Sequence, residues 1–389
     1  MRPSLTVAER QRLQFALASA KTTSGSTHNF YLYPARFSPE MARTVIELFS
    51  QPGDWVLDPF MGGGTAVIEA LALGRSAIGV DLNALAHFIA SVRTRPLSRQ
   101  DEDALRAWAA QARAFGCRRD AEPLPRIANL PAGISLLLSG ALDGIEELRS
   151  LRQRAFARMA LLRLGQWALD CRDHIAPSGR KLAAKLPELA DEMLAGLQEF
   201  VRLCGSAGVP KREIPSRRVL LCRSAARLHE DPRLRGLAGR PRLVFTSPPY
   251  PRVHVLYHRW QVRGRKETPA PYWIAGVRDG KPARYYTGGS RTPTGERFYF
   301  SMITEVFSSV REILAVDGVV VQLVGFADVK SQLPRYLAAM AAAGFETLAP
   351  TGAKTLQMWR SVPNRKWYAK MQGAVDASSE VLLFHRPRR

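Results

Sequence analysis

The stretch Trp55-Val56-Leu57-Asp58-Pro59-Phe60-Met61-Gly62-Gly63-Gly64-Thr65 decides how this 389-residue chain is read. Trp55–Leu57 is a short apolar strand that ends on an acid, Asp58, and a glycine cluster follows it. The residues from Thr65 to Leu73 then carry a helical pattern. A second apolar strand, Ala77–Val80, ends on Asp81, and a further helix is expected over Ala84–Val92. Strand, glycine turn, helix and strand make the start of a right-handed βαβ unit, and with it a parallel sheet.

Working outward, Ser38 and Pro39 have the chemistry of an N-cap and a first helical residue, opening a helix over 39–49. Further strands are expected at Val219–Cys222, Leu243–Thr246, Val319–Val324, Phe345–Leu348 and Val381–His385, which makes seven. Helices are expected at Tyr299–Ala315 and Ser331–Ala343. Between the two α/β blocks, residues 97–215 read as helical, over Leu105–Phe115, Ile134–Leu169 and Leu182–Leu203. The breaks fall at Pro123–Pro131 and Ala176–Gly179. The expected division is thus one half-core at 1–96, a helical insertion at 97–215, and a second half-core at 216–389. Within the insertion, Gly165-Gln166-Trp167-Ala168-Leu169-Asp170 is unusual and is read as a buried helix face.

Composition narrows the function. Fifty-six Lys and Arg against 34 Asp and Glu give a net charge of +22, which asks for a polyanionic partner: DNA, RNA or an anionic membrane. Ten Lys leave 46 Arg, a ratio that a GC-rich genome would also produce. No run of 18 apolar residues is present, so no membrane-spanning helix is expected. Leu13–Ala20 is apolar but is interrupted by Gln14 and preceded by Arg10 and Arg12, which favours an amphipathic helix over a signal peptide. Cys117, Cys171, Cys204 and Cys222 are scattered, which fits a reducing cytoplasm, and neither they nor the seven His show metal-ligand spacing. No metal is expected.

A glycine turn after a parallel strand lets a ligand approach the backbone, with free helix N–H groups beyond it. The dinucleotide pattern fails because Val67 stands at the third glycine position. A phosphate loop fails because no Lys follows Gly64. Two acids remain: Asp58, poised to meet an amino group, and Asp81, 17 residues after Gly64, near the spacing at which a carboxylate grips ribose. A nucleoside with an amino-acid tail suits both, and S-adenosylmethionine is such a molecule. A tight βα loop would account for the glycines alone.

The second motif, Thr246-Ser247-Pro248-Pro249-Tyr250, follows an apolar strand at the end where α/β sheets place ligands. Successive prolines donate no hydrogen bonds, so their carbonyls are left as acceptors for the amino group of a base, with an aromatic face for stacking. Here the sequence resembles the amino-group DNA methyltransferases, which modify cytosine N4 or adenine N6. Asp58–Thr65 is similar to their cofactor motif, Gly79-Val80-Asp81-Leu82-Asn83 to their ribose-binding strand end, and Ser247-Pro248-Pro249-Tyr250 to their catalytic motif. Tyr33-Pro34-Ala35-Arg36-Phe37-Ser38-Pro39-Glu40 resembles the segment that closes over the methionine end of the cofactor. The likeness covers 28–95 and 217–250 well, the strands after 299 loosely, and 97–215 hardly at all. The cofactor motif precedes the catalytic one, whereas many Ser-Pro-Pro-Tyr enzymes have the reverse order.

The resemblance implies a Rossmann-like class I methyltransferase: an α/β fold with a seven-stranded, mostly parallel sheet and a helical insertion that could recognise DNA. S-adenosylmethionine would meet Tyr33, Phe37, Asp58, Phe60, Gly62, Gly64, Thr65, Asp81, Asn83 and Thr246. A base flipped from double-stranded DNA would meet Ser247, Pro248, Pro249 and Tyr250, the serine form being associated mainly with cytosine N4. The family also implies a prokaryotic, cytoplasmic, nucleoid-associated enzyme and a cognate restriction enzyme. Residues 205–242 and 251–297 each hold ten basic and three acidic residues around this motif, while 101–204 holds 15 and 14. Arg252, Arg259, Arg263, Arg265 and Lys266 are therefore the expected DNA contacts. Residues 353–371 add five basic residues among Trp359, Trp367 and Tyr368. His254, Tyr257, His258 and Trp260 line the pocket or pack in the core. The competing functions are adenine-N6 methylation, RNA base methylation, protein-glutamine methylation and a catalytically silent DNA-binding protein.

Overall fold

The computed structural model describes residues 5–19, 25–33, 37–115, 126–171, 176–251, 259–262, 266–280, 292–348, 357–361 and 379–388. Its strands are β1 (Trp55–Asp58), β2 (Ser76–Asp81), β3 (Arg218–Cys222), β4 (Pro241–Thr246), β5 (Trp260–Val262), β6 (Lys266–Thr268) and β7 (Val319–Gly325). Three more follow: β8 (Phe345–Thr347), β9 (Gln357–Ser361) and β10 (Ser379–Pro387). The main sheet runs β3-β2-β1-β4-β7-β10, and β8 and β9 both pair with the far edge of β10. Strands β3, β2, β1, β4 and β7 are parallel, and β10 is antiparallel to all its neighbours. This is the Rossmann-like α/β arrangement.

The sheet has eight strands rather than the expected seven. The addition is β9, of which Met358 is the only buried residue, and Trp359 is 41% exposed. With Met358 and the Arg360 side chain inward and Trp359 outward, the strand shows no apolar alternation to read. A separate two-stranded ribbon, β5–β6, also lay outside the expectation.

Alternate strand residues feed two cores. Val56, Ala77, Leu243, Phe245, Val321 and Leu323 face one, and Leu57, Ile78, Val244, Val320 and Val324 face the other. Both are apolar because helices cover both faces of a parallel sheet. The first face takes α2 (Pro39–Phe49), α3 (Thr65–Ala72) and α4 (Ala84–Arg93). Ser38 caps α2 as expected, its Oγ accepting from Met41 N at 3.2 Å. The N-terminal helix, α1 (Val7–Ala18), opens on a Thr6–Glu9 capping box and buries Leu13, Ala16 and Leu17.

Between α4 and β3 come α5 (Arg99–Ala110), α6 (Ala112–Phe115), α7 (Ala132–Ile145), α8 (Leu151–Leu169) and α9 (Gly179–Ser206). Leu105, Phe156, Leu162, Leu186 and Phe200 join the same continuous core as Val67 and Ile89, so this block packs onto the first face of the sheet. The helix expected over Ile134–Leu169 is two helices, because Ser150 and Gln153 form a capping box that starts α8 afresh. After a four-residue helix, α10 (Pro232–Arg235), and α11 (Ala270–Ala275), the second face is closed by α12 (Pro293–Ile313) and α13 (Val329–Ala342).

The direction of strand addition reverses between β1 and β4, and in such sheets the carboxyl ends there open a ligand crevice. Asp58 and Thr246 end those two strands. Among the described residues, no helix is long and apolar enough to cross a membrane.

Candidate cofactor and base-binding site

The glycine turn is held from both sides. Met61 N donates to Val80 O at 3.0 Å, and Gly64 N donates back to Met61 O at 2.8 Å. Gly64 has φ +81°, and a Cβ there would lie 2.9 Å from Ala90 Cβ, so both conformation and space require glycine. Behind the turn sits Arg93, 1% exposed. Its Nη1 donates to Gly63 O at 2.6 Å, and its Nη2 donates to His28 O at 2.9 Å and to Tyr31 O. One buried guanidinium thus ties the turn to the 28–31 segment, a role with no signal in local sequence.

The two acids differ in setting. Asp58 is buried at the end of β1, where its Oδ1 accepts from Thr246 Oγ1 at 2.6 Å and from Phe60 N at 3.1 Å. Burial lifts its carboxyl to about 7, against the pull of those hydrogen bonds. Asp81 accepts from Gly62 N at 2.9 Å and Asn83 N at 2.8 Å, and burial lifts it to about 6. Each is therefore held in place while a cationic or hydroxyl-bearing partner would restore its charge.

Asn83 gathers the remaining polar groups. Its Nδ2 donates to Tyr33 Oη at 3.3 Å, and its Oδ1 accepts from Leu85 N at 2.9 Å and from Tyr272 Oη at 3.2 Å. Tyr272, on α11, was not anticipated. Tyr33 lies over the turn, its ring 3.2 Å from where a Gly62 Cβ would stand. Thr65 begins α3 and is buried, while Phe60 packs towards Phe307 with ring centroids 6.5 Å apart. Phe37 is buried and packs on Phe245 of β4 at 4.4 Å between centroids. Residues 34–36 lie outside the described residues.

The strap that carries Tyr33 is gripped by the inserted block. Gln166 of α8 accepts from Leu32 N at 2.7 Å through Oε1 and donates to Leu32 O at 3.1 Å through Nε2. Asp170 accepts from Gln261 N of β5 at 3.1 Å, and the Trp260 indole packs where a Gly165 Cβ would lie 2.3 Å away. Trp260 Nε1 donates to Tyr31 Oη at 2.9 Å, which puts Trp260 in the core. The Gly165–Asp170 stretch is a buried helix face, from which Gln166 anchors the strap and Asp170 anchors β5.

From Thr246 the chain turns through half-buried Ser247, buried Pro248 and partly buried Pro249 and Tyr250. Ser247 Oγ donates to Tyr250 Oη at 3.5 Å, and Tyr250 Oη donates to Glu380 Oε1 at 2.6 Å. Glu380 was not anticipated, because its partner is 130 residues away in sequence.

The expected DNA contacts divide. Arg252, Arg263 and Arg265 lie outside the described residues, as do His254, Tyr257, His258, Trp367 and Tyr368. Lys266 is exposed on β6. Arg259 is committed instead to an ion pair, its Nη2 donating to Asp279 at 2.7 Å with Glu267 3.6 Å from Nη1. In 205–242, Arg217, Arg223, Arg227, Arg233 and Arg242 are likewise paired with carboxylates. Among the described residues no group of three or more His, Cys, Asp or Glu could hold a metal ion.

The donor set fits S-adenosylmethionine. Asp58 would take the ammonium, Asp81 the ribose hydroxyls, and the glycine turn gives the close backbone approach such a ligand needs.

Residues 14–91 match the family model described as DNA methylase, of the N6/N4 type. The chain is 37% identical over 78 residues to the Type II methyltransferase M.MvaI of Kocuria varians, covering 19% of this chain and 17% of that relative. It is 31% identical over 81 residues to M.MjaII of Methanocaldococcus jannaschii, covering 21% and 15%. A third match is the tRNA (guanine(10)-N2)-dimethyltransferase of Methanothermobacter thermautotrophicus, 39% identical over 54 residues and covering 14% and 16%. The chain thus spans about a sixth of the length of the curated relatives it matches. The segment 14–91, which carries the glycine turn, both acids and Asn83, is thus similar to the amino-group DNA methylases.

Proposed function

We propose that this protein transfers a methyl group to the exocyclic amino group of a base in DNA, with cytosine N4 as the favoured target. One contact carries the proposal. Thr246 Oγ1 on Asp58 Oδ1, at 2.6 Å, joins the turn that would hold the base to the acid that would hold the cofactor's amino-acid end. Residues 188 apart in sequence are thereby set side by side at the reversal of the sheet. S-adenosylmethionine supplies, when bound, an electrophilic methyl group on a sulfonium.

The chain's own residues supply position. Ser247 Oγ and the Pro248 carbonyl accept hydrogen bonds from the amine and draw its lone pair out of conjugation with the ring. Pro248 and Pro249 have no N–H to compete for those acceptors. The Tyr250 ring stacks on the base, which has left the duplex because its amino group is otherwise out of reach. Orientation and preset dipoles then provide most of the acceleration, since the amine needs no covalent intermediate on the protein. The serine at the head of the turn favours N4 of cytosine over N6 of adenine. Exposed Lys266 on β6 offers a cation to phosphate, and the block at 97–215 contributes to DNA recognition. The Type II relatives supply the argument for a partner restriction enzyme and for a cytoplasmic setting.

The tRNA relative keeps an RNA amino group as the second reading. Incubating genomic DNA and total RNA with labelled cofactor, then identifying the modified nucleoside by mass spectrometry, separates the two. N4-methylcytosine in DNA is expected. N6-methyladenine would move the specificity, and label confined to RNA would replace DNA as substrate. Ser247→Ala and Tyr250→Ala should each lose most turnover while still binding cofactor; unchanged methylation in both removes the turn from the mechanism.

A further inference from the structure

A glutamate and an arginine from the edge of the sheet, far in sequence from either motif, stand behind the Ser247–Tyr250 turn. Glu380 on β10 is directly opposite Arg360 on β9 and Gly325 on β7. Arg360 Nε donates to Glu380 Oε2 at 2.6 Å and Nη2 lies 2.5 Å from the same oxygen, with both side chains under 10% exposed. The other carboxylate oxygen, Oε1, accepts from Tyr250 Oη at 2.6 Å. Arg360 Nη1 donates to Leu17 O, near the C-terminus of α1, at 3.2 Å.

A buried ion pair of this kind is an expensive way to hold two strands together. Desolvating two charges commonly cancels their attraction, and an apolar pair would pack the same space as well. What the pair supplies that an apolar one cannot is a fixed, charged acceptor. A hydrogen bond to an ionised carboxylate is about twice as strong as a neutral one and is directional. Arg360 locks the carboxylate in turn from a second strand and a helix end. A phenol bonded this way has its ring azimuth set before any substrate arrives.

We infer that Glu380 and Arg360 are positioning residues that lock the Tyr250 ring as the stacking platform for the target base. Given the proposed methyl transfer, on which this rests, they touch neither base nor cofactor and act through the Tyr250 hydroxyl alone. The eighth strand, β9, then has a use in the reaction: it delivers Arg360.

Tyr250→Phe, Glu380→Gln and the double variant test this by single-turnover methyl transfer, cofactor Kd, DNA KM and thermal melting. Each single variant should slow transfer about tenfold to a hundredfold, as a displaced reacting group does, with cofactor Kd within about twofold of the parent. The double variant should be no slower than the slower single, because Glu380→Gln removes the acceptor's charge and Tyr250→Phe the donor of the same hydrogen bond. Arg360→Lys, which keeps the charge, should recover part of the rate lost in Arg360→Met. If Glu380→Gln does not fold, Glu380→Met combined with Arg360→Met removes both charges and the acceptor, and its transfer rate should match that of Tyr250→Phe. Multiplying effects in the double variant, or lowered melting with an unchanged transfer rate, would overturn the inference while leaving the proposed reaction standing. A parent protein that methylates neither DNA nor RNA would overturn both.

Discussion

The carboxyl of Asp58 offers a titration with a sign and a size. Burial raises it from 3.8 to about 7, so near neutral pH it is half ionised in the ligand-free protein. A raised acid favours the folded state in its protonated form. Stability from Asp58 is thus fully present below about pH 4 and is lost as pH rises through 7. Binding runs the other way, because an ammonium group seated against Asp58 needs the carboxylate. The ionised fraction of a group titrating at about 7 grows roughly tenfold between pH 6 and pH 8, so affinity for an ammonium-bearing ligand should grow by about that factor. Asp81, lifted to about 6, adds only about a further twofold over the same range, being half ionised at its start. The perturbation is Asp58→Asn, which keeps an oxygen to accept from Thr246. The assay is calorimetric titration with S-adenosylhomocysteine, whose amino-acid ammonium stays charged over most of this range. The parent should bind about twentyfold tighter at pH 8 than at pH 6, and Asp58→Asn should bind weakly with at most a twofold slope. A variant that keeps the parental slope would show that Asp58 does not meet the ammonium.

Three other outcomes follow from the same geometry. Gly64→Ala puts a Cβ 2.9 Å from Ala90 Cβ at a left-handed φ, and should cost about 1–3 kcal/mol in a denaturant melt; parental stability would mean the turn is not built as described. Gln166→Ala removes both hydrogen bonds to the Leu32 backbone and should weaken cofactor affinity about fivefold, measured by calorimetry, for roughly 1 kcal/mol. DNA affinity, followed by fluorescence anisotropy, should fall about a thousandfold between 50 and 200 mM salt if roughly six phosphates are neutralised. A salt-independent affinity would take the basic surface out of DNA binding.

The sheet was legible wherever a strand is buried on both faces, because continuous apolar runs such as Val319–Val324 have few other uses. Helix starts were legible where a cap is local, as at Ser38 and Pro39. Strand β9 was not, since its one inward apolar residue stands beside an inward arginine and an outward tryptophan, and neither was the break before α8, which a capping box makes inside an apolar run. At the site, Asp58, Gly64, Asp81, Asn83 and Thr246 all sit at strand ends or in the glycine turn, where the chain itself declares them. Arg93, Gln166, Tyr272, Arg360 and Glu380 do not. Each meets its partner across 20 or more residues of sequence, from within an ordinary helix or strand. The charge reading needed the fold as well, because composition counts Arg259 as available to phosphate while geometry spends it on Asp279.

The grip of Gln166 on Leu32 bears on how this protein can be re-engineered. Residues 97–215 look like a cassette, nearly neutral and set between two half-cores, and the obvious route to new sequence specificity would be to exchange them for another block. Yet that block holds the strap beside the glycine turn by both of its backbone polar groups at Leu32, and seats Trp260 against Gly165. A chimera that keeps both motifs intact and replaces the insertion would release the strap, and its loss of activity would be misread as failed recognition. Any graft has to carry α8 with it.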